Sequence, residues 1–230
     1  MNEPTARKLV CLVSGLAAAG MLVCGGCAIV GLVATPTRHE EKIRAEYNLS
    51  QLADKRMLVL VRQPAWLNAQ ANFRYYLTRE INVRLSEKTK LSASQLIGYD
   101  TISRFRAGRA DFSILSGTEV ARQLGADVVL EVVIDDCRLV KVTGADYYSA
   151  WLSARCTLHR ADTAEKLWPA STDARTVKVG FEIGPSDRTA ALLRATGAMA
   201  YCVVRYFYDC PLDQFKIGDD RTEQGWRDWK

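Results

Sequence analysis

From Leu9 to Ala34, 26 consecutive residues carry no formally charged side chain, and Arg7 and Lys8 stand directly before them. At ~1.5 Å of rise per residue a helix of that length reaches ~39 Å, more than a ~30 Å hydrocarbon core requires. A chain that opens this way divides into a segment for the membrane and a remainder that folds beyond it. The expected division is a cytosolic n-region over residues 1–8, a membrane or signal segment over 9–34, a linker over 35–56, an α/β domain over 57–210 and a polar tail over 211–230.

Three fates fit the apolar segment. A cleaved secretory signal would use Leu9 to Leu16 as its apolar region and Ala17-Ala18-Ala19 as its processing site, leaving Met21-Leu22-Val23 and Ala28 to Val33 as an exposed apolar terminus. A lipoprotein signal would end at Gly25-Gly26-Cys27, with Cys27 the candidate for lipid attachment, although Cys24 stands three residues before it where such signals usually carry Leu. An uncleaved spanning helix accounts for the whole run and is the reading preferred on the residues, with the lipid-attached form as its alternative. Arg38, Lys42 and Arg44 lie beyond the run, so basic flanks do not set its orientation. Its signal-like placement at the start of the chain implies that the domain faces away from the cytosol.

Roughly 190 residues remain beyond the leader, enough for one domain with a complete core. The net charge of +5 is spread among interspersed acids and bases, with no basic stripe carrying interleaved aromatics, which argues against nucleic acid as a partner. Of seven cysteines, Cys137, Cys156, Cys202 and Cys210 fall outside the leader. Cys137 and Cys156 fall on neighbouring antiparallel strands and are the candidate disulfide, with free thiols as the alternative. Cys202 and Cys210 lie eight residues apart, ~12 Å along a helix, against the ~7 Å limit between disulfide alpha carbons.

Met57 to Val61 is a continuous apolar run, the pattern of a strand buried on both faces. Phe73, Leu77, Ile81 and Leu85 recur every fourth residue, which predicts an amphipathic helix over about 69–86. A weak strand is expected over Ser94 to Tyr99, then a polar stretch through Arg109. Ser116 and Glu119 form a capping box for a short helix that Gly125 closes, and Ala126 to Ile134 follows as the strongest strand, central in its sheet. Tyr148 to His159, Leu167-Trp168 and Thr176 to Phe181 read as returning strands, with reversals near Gly144 and at Ala161 to Ala164. A long helix then starts near Pro185-Ser186, offers Leu193, Ala200, Val203, Val204 and Phe207 to the core, and ends before Pro211. The expected fold class is α/β: one domain, a mixed sheet of about five strands packed by two longer helices and one short helix, preceded by a membrane anchor.

Motifs for nucleotide phosphates, a serine nucleophile elbow or a zinc-binding helix are absent from the sequence, so no cofactor or metal is expected. A thiol enzyme would need Cys156 or Cys137 beside His159, yet residues three apart on a strand point to opposite faces. Asp135 and Asp136 would likewise diverge on a strand and read as its solvated end. Arg104, Arg106 and Arg109 could bind an acidic glycan or a phospholipid headgroup, against a solvated loop. Trp226 and Trp229, beside Arg227 and Lys230, are candidate interface residues for a membrane or a partner groove.

Leu124-Gly125-Ala126-Asp127-Val128-Val129-Leu130, together with His159-Arg160-Ala161-Asp162-Thr163-Ala164-Glu165-Lys166-Leu167-Trp168, resembles bacterial envelope lipoproteins of the TolB amino-terminal-like fold, the group that includes the CsgG, PelC and LpoB types. The resemblance spans Met57 to Asp209. It implies a non-enzymatic accessory or assembly subunit of a secretion, export or cell-wall machine. Such a protein would sit in the bacterial cell envelope, anchored through residues 9–34 with the domain on the periplasmic or extracytoplasmic side. Its partner would be an envelope protein or a second copy of the chain.

Overall fold

The computed structural model describes residues 42–52, 54–67, 73–142, 144, 147–184 and 187–212. Among the described residues, strand β1 (Lys42–Ile43) precedes β2 (Met57–Arg62) and helix α1 (Phe73–Lys88), and α2 (Tyr99–Ala107) and α3 (Gly117–Gln123) follow. Next come β3 (Val128–Lys141), β4 (Tyr148–Arg160), β5 (Lys166–Trp168), β6 (Arg175–Ile183), α4 (Arg188–Val204) and β7 (Cys210–Pro211). No helix among them is long and apolar enough to cross a membrane. Residues 9–34, with Cys27, and Trp226 and Trp229 lie outside the described residues.

The sheet is mixed. β2 pairs parallel with β3, β3 antiparallel with β4, and β4 is long enough for β5 and β6 to pair with successive parts of it. Parallel pairing of β2 with β3 requires a crossover, and α1, α2 and α3 lie within it. β2 alternates between two cores: Met57, Val59 and Val61 face the larger one, Leu58 and Leu60 the smaller.

The larger core forms where α1 and α4 cover one sheet face. Phe73, Leu77, Ile81 and Leu85 are each 0% exposed, as their four-residue recurrence predicts, and each such side chain gains ~1.5–3 kcal/mol on burial. Asp187 caps α4 by accepting from the Ala190 amide at 2.7 Å. On the opposite face Ile102 of α2 and Val120 and Ala121 of α3 cover Leu58, Leu60 and Val129. The capping box of α3 forms as expected: the Ser116 amide donates to Glu119 at 2.7 Å, and the Glu119 amide to the Ser116 hydroxyl at 3.2 Å. Gly125 then turns the chain into β3 with φ 68°, where a β-carbon would be strained.

The structure corrects several expectations. The weak strand over 94–99 is a 3-10 turn, Ala93–Gln95, plus a single bridging residue, Leu96. The polar stretch after it is the helix α2, whose one buried residue, Ile102, is too few to show a periodicity. The long helix stops at Val204, well before Pro211, and Leu193 is 41% exposed rather than in the core. The latter part of the expected linker belongs to the domain. There β1 pairs with β7, Leu49 and Leu52 are buried, and Glu46 accepts from Trp168 Nε1 at 2.9 Å.

Strand β3 does not end at Asp135-Asp136. Ile134 pairs with Ala154 and Asp136 with Ser153, so Asp135 is the extra residue of a β-bulge. The bulge moves the inward positions from Val132 and Ile134 to Cys137 and lets β3 continue to Lys141.

Candidate functional site

Where β2 ends, its last residues and the two helices α1 and α2 enclose a cleft of about 400 Å³. This is the crevice beyond the carboxyl end of a parallel strand, where open α/β sheets bind ligands. Four arginines line it: Arg62 at the end of β2, Arg74 on the first turn of α1, Arg106 on the last turn of α2, and Arg109 just beyond. No carboxylate is among the described residues of the lining.

Two of these guanidiniums are committed to the wall. Arg62 is ion-paired through Nε with Glu131 and donates from Nη2 to the Leu115 carbonyl at 2.6 Å. Arg109 grips Asp111 with a two-pronged contact, 2.9 Å on each prong, and lies over the Phe105 ring at 5.3 Å. The Arg109 contact holds the Asp111 carboxyl below its ordinary range.

Arg74 and Arg106 approach from different helices. Arg106 Nη2 donates to the Tyr99 hydroxyl at 3.3 Å. Burial, and next the like charge of Arg106, push the Arg74 guanidinium below its usual value, with Tyr99 acting in the opposite sense. Thr78, Tyr99 and Ser113 add hydroxyls to the lining, and Ile102 and Phe112 supply an apolar wall.

Of the three arginines singled out in the sequence, Arg106 and Arg109 line this cleft. Arg104 is exposed on α2, with Nε bonded to the Asp100 carbonyl at 3.4 Å. Arg62 and Arg74 went unnoticed in the sequence. A charge directly after a buried strand that leads into a helix was the signal available for Arg62.

A second feature is the outer face of β3, β4 and β6 beyond the reach of α2 and α3. There Arg138, Trp151 and Gly180 occupy one cross-strand row, with Trp151 37% exposed. Val140, 58% exposed, stands one row away opposite Ser149 and Glu182. Ion pairs flank the aromatic: Arg155 Nε to Asp135 at 2.9 Å and Arg138 Nη2 to Asp136 at 2.9 Å. The two aspartates thus serve separate arginines rather than sharing a proton. Trp151 was legible as the large aromatic at an outward position of an alternating strand, yet only the packing leaves it uncovered.

The thiols do not assemble a site. Cys137 and Cys156 are free and buried, and Cys137 stands opposite Leu152 while Cys156 stands opposite Val132. This register is the reason the expected cross-strand bridge does not form. Burial and the nearby Asp135 raise the Cys156 thiol, opposing thiolate formation. His159 points away from it, with Nδ1 3.3 Å from the Ala164 carbonyl oxygen. Cys202 and Cys210 are also free and buried. Among the described residues no group of three or more His, Cys, Asp or Glu side chains is placed to hold a metal.

No family model matches the sequence, and no curated protein matches it. Among solved structures, the chain is similar to the PelC dodecamer from Paraburkholderia phytofirmans, with 12% identity, TM-score 0.41, and 74% of this chain and 96% of that one covered. It is similar also to the lipoprotein GNA1162 from Neisseria meningitidis, with 15% identity, TM-score 0.38, and 60% and 90% covered. A third is the LpoB C-terminal domain from Salmonella enterica, with 17% identity, TM-score 0.33, and 60% and 84% covered. PelC and LpoB are two of the types that the sequence resembles.

Proposed function

We propose that this chain is a membrane-tethered subunit of the bacterial cell envelope that acts by non-covalent binding to another envelope protein, in an accessory or assembly role rather than a catalytic one. The observation that carries the reading is the open face of β3, β4 and β6. An antiparallel sheet can leave one face to solvent, but that face is then ordinarily polar. Here a tryptophan sits at its centre with an exposed valine nearby and ion pairs around it. A desolvating aromatic inside a polar rim is the composition of a protein-docking surface. The uncharged run over residues 9–34 supports the tether, as a spanning helix or as a leader lipidated at Cys27. The domain would then lie on the extracytoplasmic side, with Trp226 and Trp229 as a further contact.

The test is photo-crosslinking in native envelopes from a probe placed at Ser149 or Ser153, with Val83 on the exposed side of α1 as the control position. The expected result is a discrete adduct with an envelope protein, identified by mass spectrometry, that Trp151→Ala abolishes. Adducts equal in kind and yield from Val83, or recovery of the native chain from a lipid-free soluble fraction, would refute the reading.

A further inference from the structure

We infer that the free edge of β6 pairs antiparallel with the same edge of a second copy of this chain, about a two-fold axis at Gly180, so that two sheets join into one. This goes beyond the docking role and does not rest on it, since edge pairing leaves the outer face of β3, β4 and β6 open. β6 pairs with β4 without a register shift, from Arg175 opposite Cys156 to Ile183 opposite Tyr148. Among the described residues no strand pairs with its other side. Arg175 is engaged by Glu46, so the stretch available for pairing is Thr176 to Ile183. Natural sheets blunt such an edge with a proline, a bulge or a very short strand. β6 has 9 residues, no proline and no bulge.

The charges on that stretch select both the partner and the register. Lys178, Gly180 and Glu182 alternate along the strand and share the outer face of the sheet, with Lys178 and Glu182 exposed. Four residues apart on one strand, the two charges stand ~13 Å from each other, too far to pair within the chain. Among the described residues neither has an ion-pair partner. A lysine alone at an edge discourages a second strand. An antiparallel partner centred on Gly180 instead sets Lys178 of each copy opposite Glu182 of the other, with ~4.5–5.5 Å between their β-carbons. A centre one residue earlier would set Lys178 opposite Gly180 and leave both charges unmatched. The Gly180 register also sets Val177 opposite Ile183, both buried, so the apolar layer continues across the axis. The two glycines then lie side by side between the two Trp151 rings, each of which already abuts the glycine of its own chain. The tryptophans of the two copies fall in one row, three strand spacings or ~14 Å apart, and two outer faces become one. Such a contact is isologous and closes at two copies.

The experiment is sedimentation equilibrium of the full-length chain in a density-matched non-ionic detergent. It is joined to zero-length carbodiimide crosslinking of mixed light and heavy nitrogen-labelled protein, read by mass spectrometry. A dimer is expected, with an amide between Lys178 and Glu182 that links light chains to heavy ones. Lys178→Glu and Glu182→Lys should each loosen the dimer roughly tenfold or more, because each reversal sets two like-charged pairs across the axis. The two substitutions in one chain restore opposite charges, and the dimer should return to within about threefold of the wild type. Glu87→Lys, at an exposed position of α1, should change it by less than about twofold. Thermal melts of each variant separate lost pairing from lost folding. A monomer at every concentration, including one whose own terminal segments cover the edge, would overturn the assignment. So would a dimer unmoved by both charge reversals, a double variant no tighter than the single ones, or links confined to chains of one isotope. None of these outcomes depends on another envelope protein, so failure of the docking role leaves the dimer measurement interpretable.

Discussion

Trp151 sets the Cε3–Cζ3 edge of its indole against the bare backbone of its cross-strand partner Gly180, where an added β-carbon would come within 2.6 Å of the ring atom Cε3. The absence of a side chain at Gly180 leaves room for that ring edge to approach the strand. Gly180→Ala should therefore lift the ring off the sheet. Because Trp151 is already 37% exposed, the ring can move outward, and the stability cost should be modest, ~1 kcal/mol. The readout is the fluorescence contribution of Trp151, isolated by difference from Trp151→Phe, which should shift to the red and become more accessible to iodide. Unchanged quenching would show that the ring had not moved.

Glu46 ties the segment before β2 to the sheet edge by accepting from Trp168 Nε1 at 2.9 Å and pairing with Arg175. The indole it serves is 1% exposed, so removing the acceptor strands a buried N–H. Glu46→Ala should cost ~1–3 kcal/mol in chemical denaturation. Glu46→Gln, which keeps an acceptor oxygen, should cost less. Equal losses would place the effect in the ion pair with Arg175 alone.

The fold holds the Cys137 thiol neutral: burial, with the nearby Asp136 adding to it, pushes it from 9.0 up to about 11. A folded-state value above the unfolded one means that this contribution is complete below pH 9 and is lost as pH rises toward 11. Denaturation midpoints should fall across that window, with the wild type losing up to roughly 1.4 kcal/mol per pH unit relative to Cys137→Ala. Parallel curves for the two chains would remove Cys137 from the account. Cys156, raised further by its own burial, should resist alkylation in the native chain throughout.

Gly197 sits inside α4, and a β-carbon there would meet only the tip of the Arg84 side chain at 3.9 Å. No backbone packs close enough to require glycine. Gly197→Ala should stabilise the domain by ~0.5–1 kcal/mol, measured by thermal or denaturant melting. A loss of stability would mean that α4 is more tightly packed at this position than the geometry indicates.

The elements with strong local patterns were legible before folding was considered. Phe73, Leu77, Ile81 and Leu85 name one helix face by spacing alone, and Ser116 with Glu119 and Gly125 mark both ends of α3. Helix α2 was not legible, because only Ile102 of its nine residues is buried and its arginines read as a solvated loop. The paired aspartates misled for a related reason. Two adjacent charges look like a strand end unless a bulge shifts the register and arginines on β3 and β4 receive them.

Adjacent residues determined the uncharged run over residues 9–34, the doubly buried strand β2, the amphipathic α1 and the caps of α3, since each depends on groups within a few positions of one another. Tertiary structure alone decided that residues 62, 74, 106 and 109 converge on one cleft, that Glu46 reaches Trp168, and that Trp151 abuts Gly180 on a face that no helix among the described residues reaches. Those partners are distant along the chain, and their meeting is set by the β2–β3 crossover and by the register of β4. No local periodicity encodes either one.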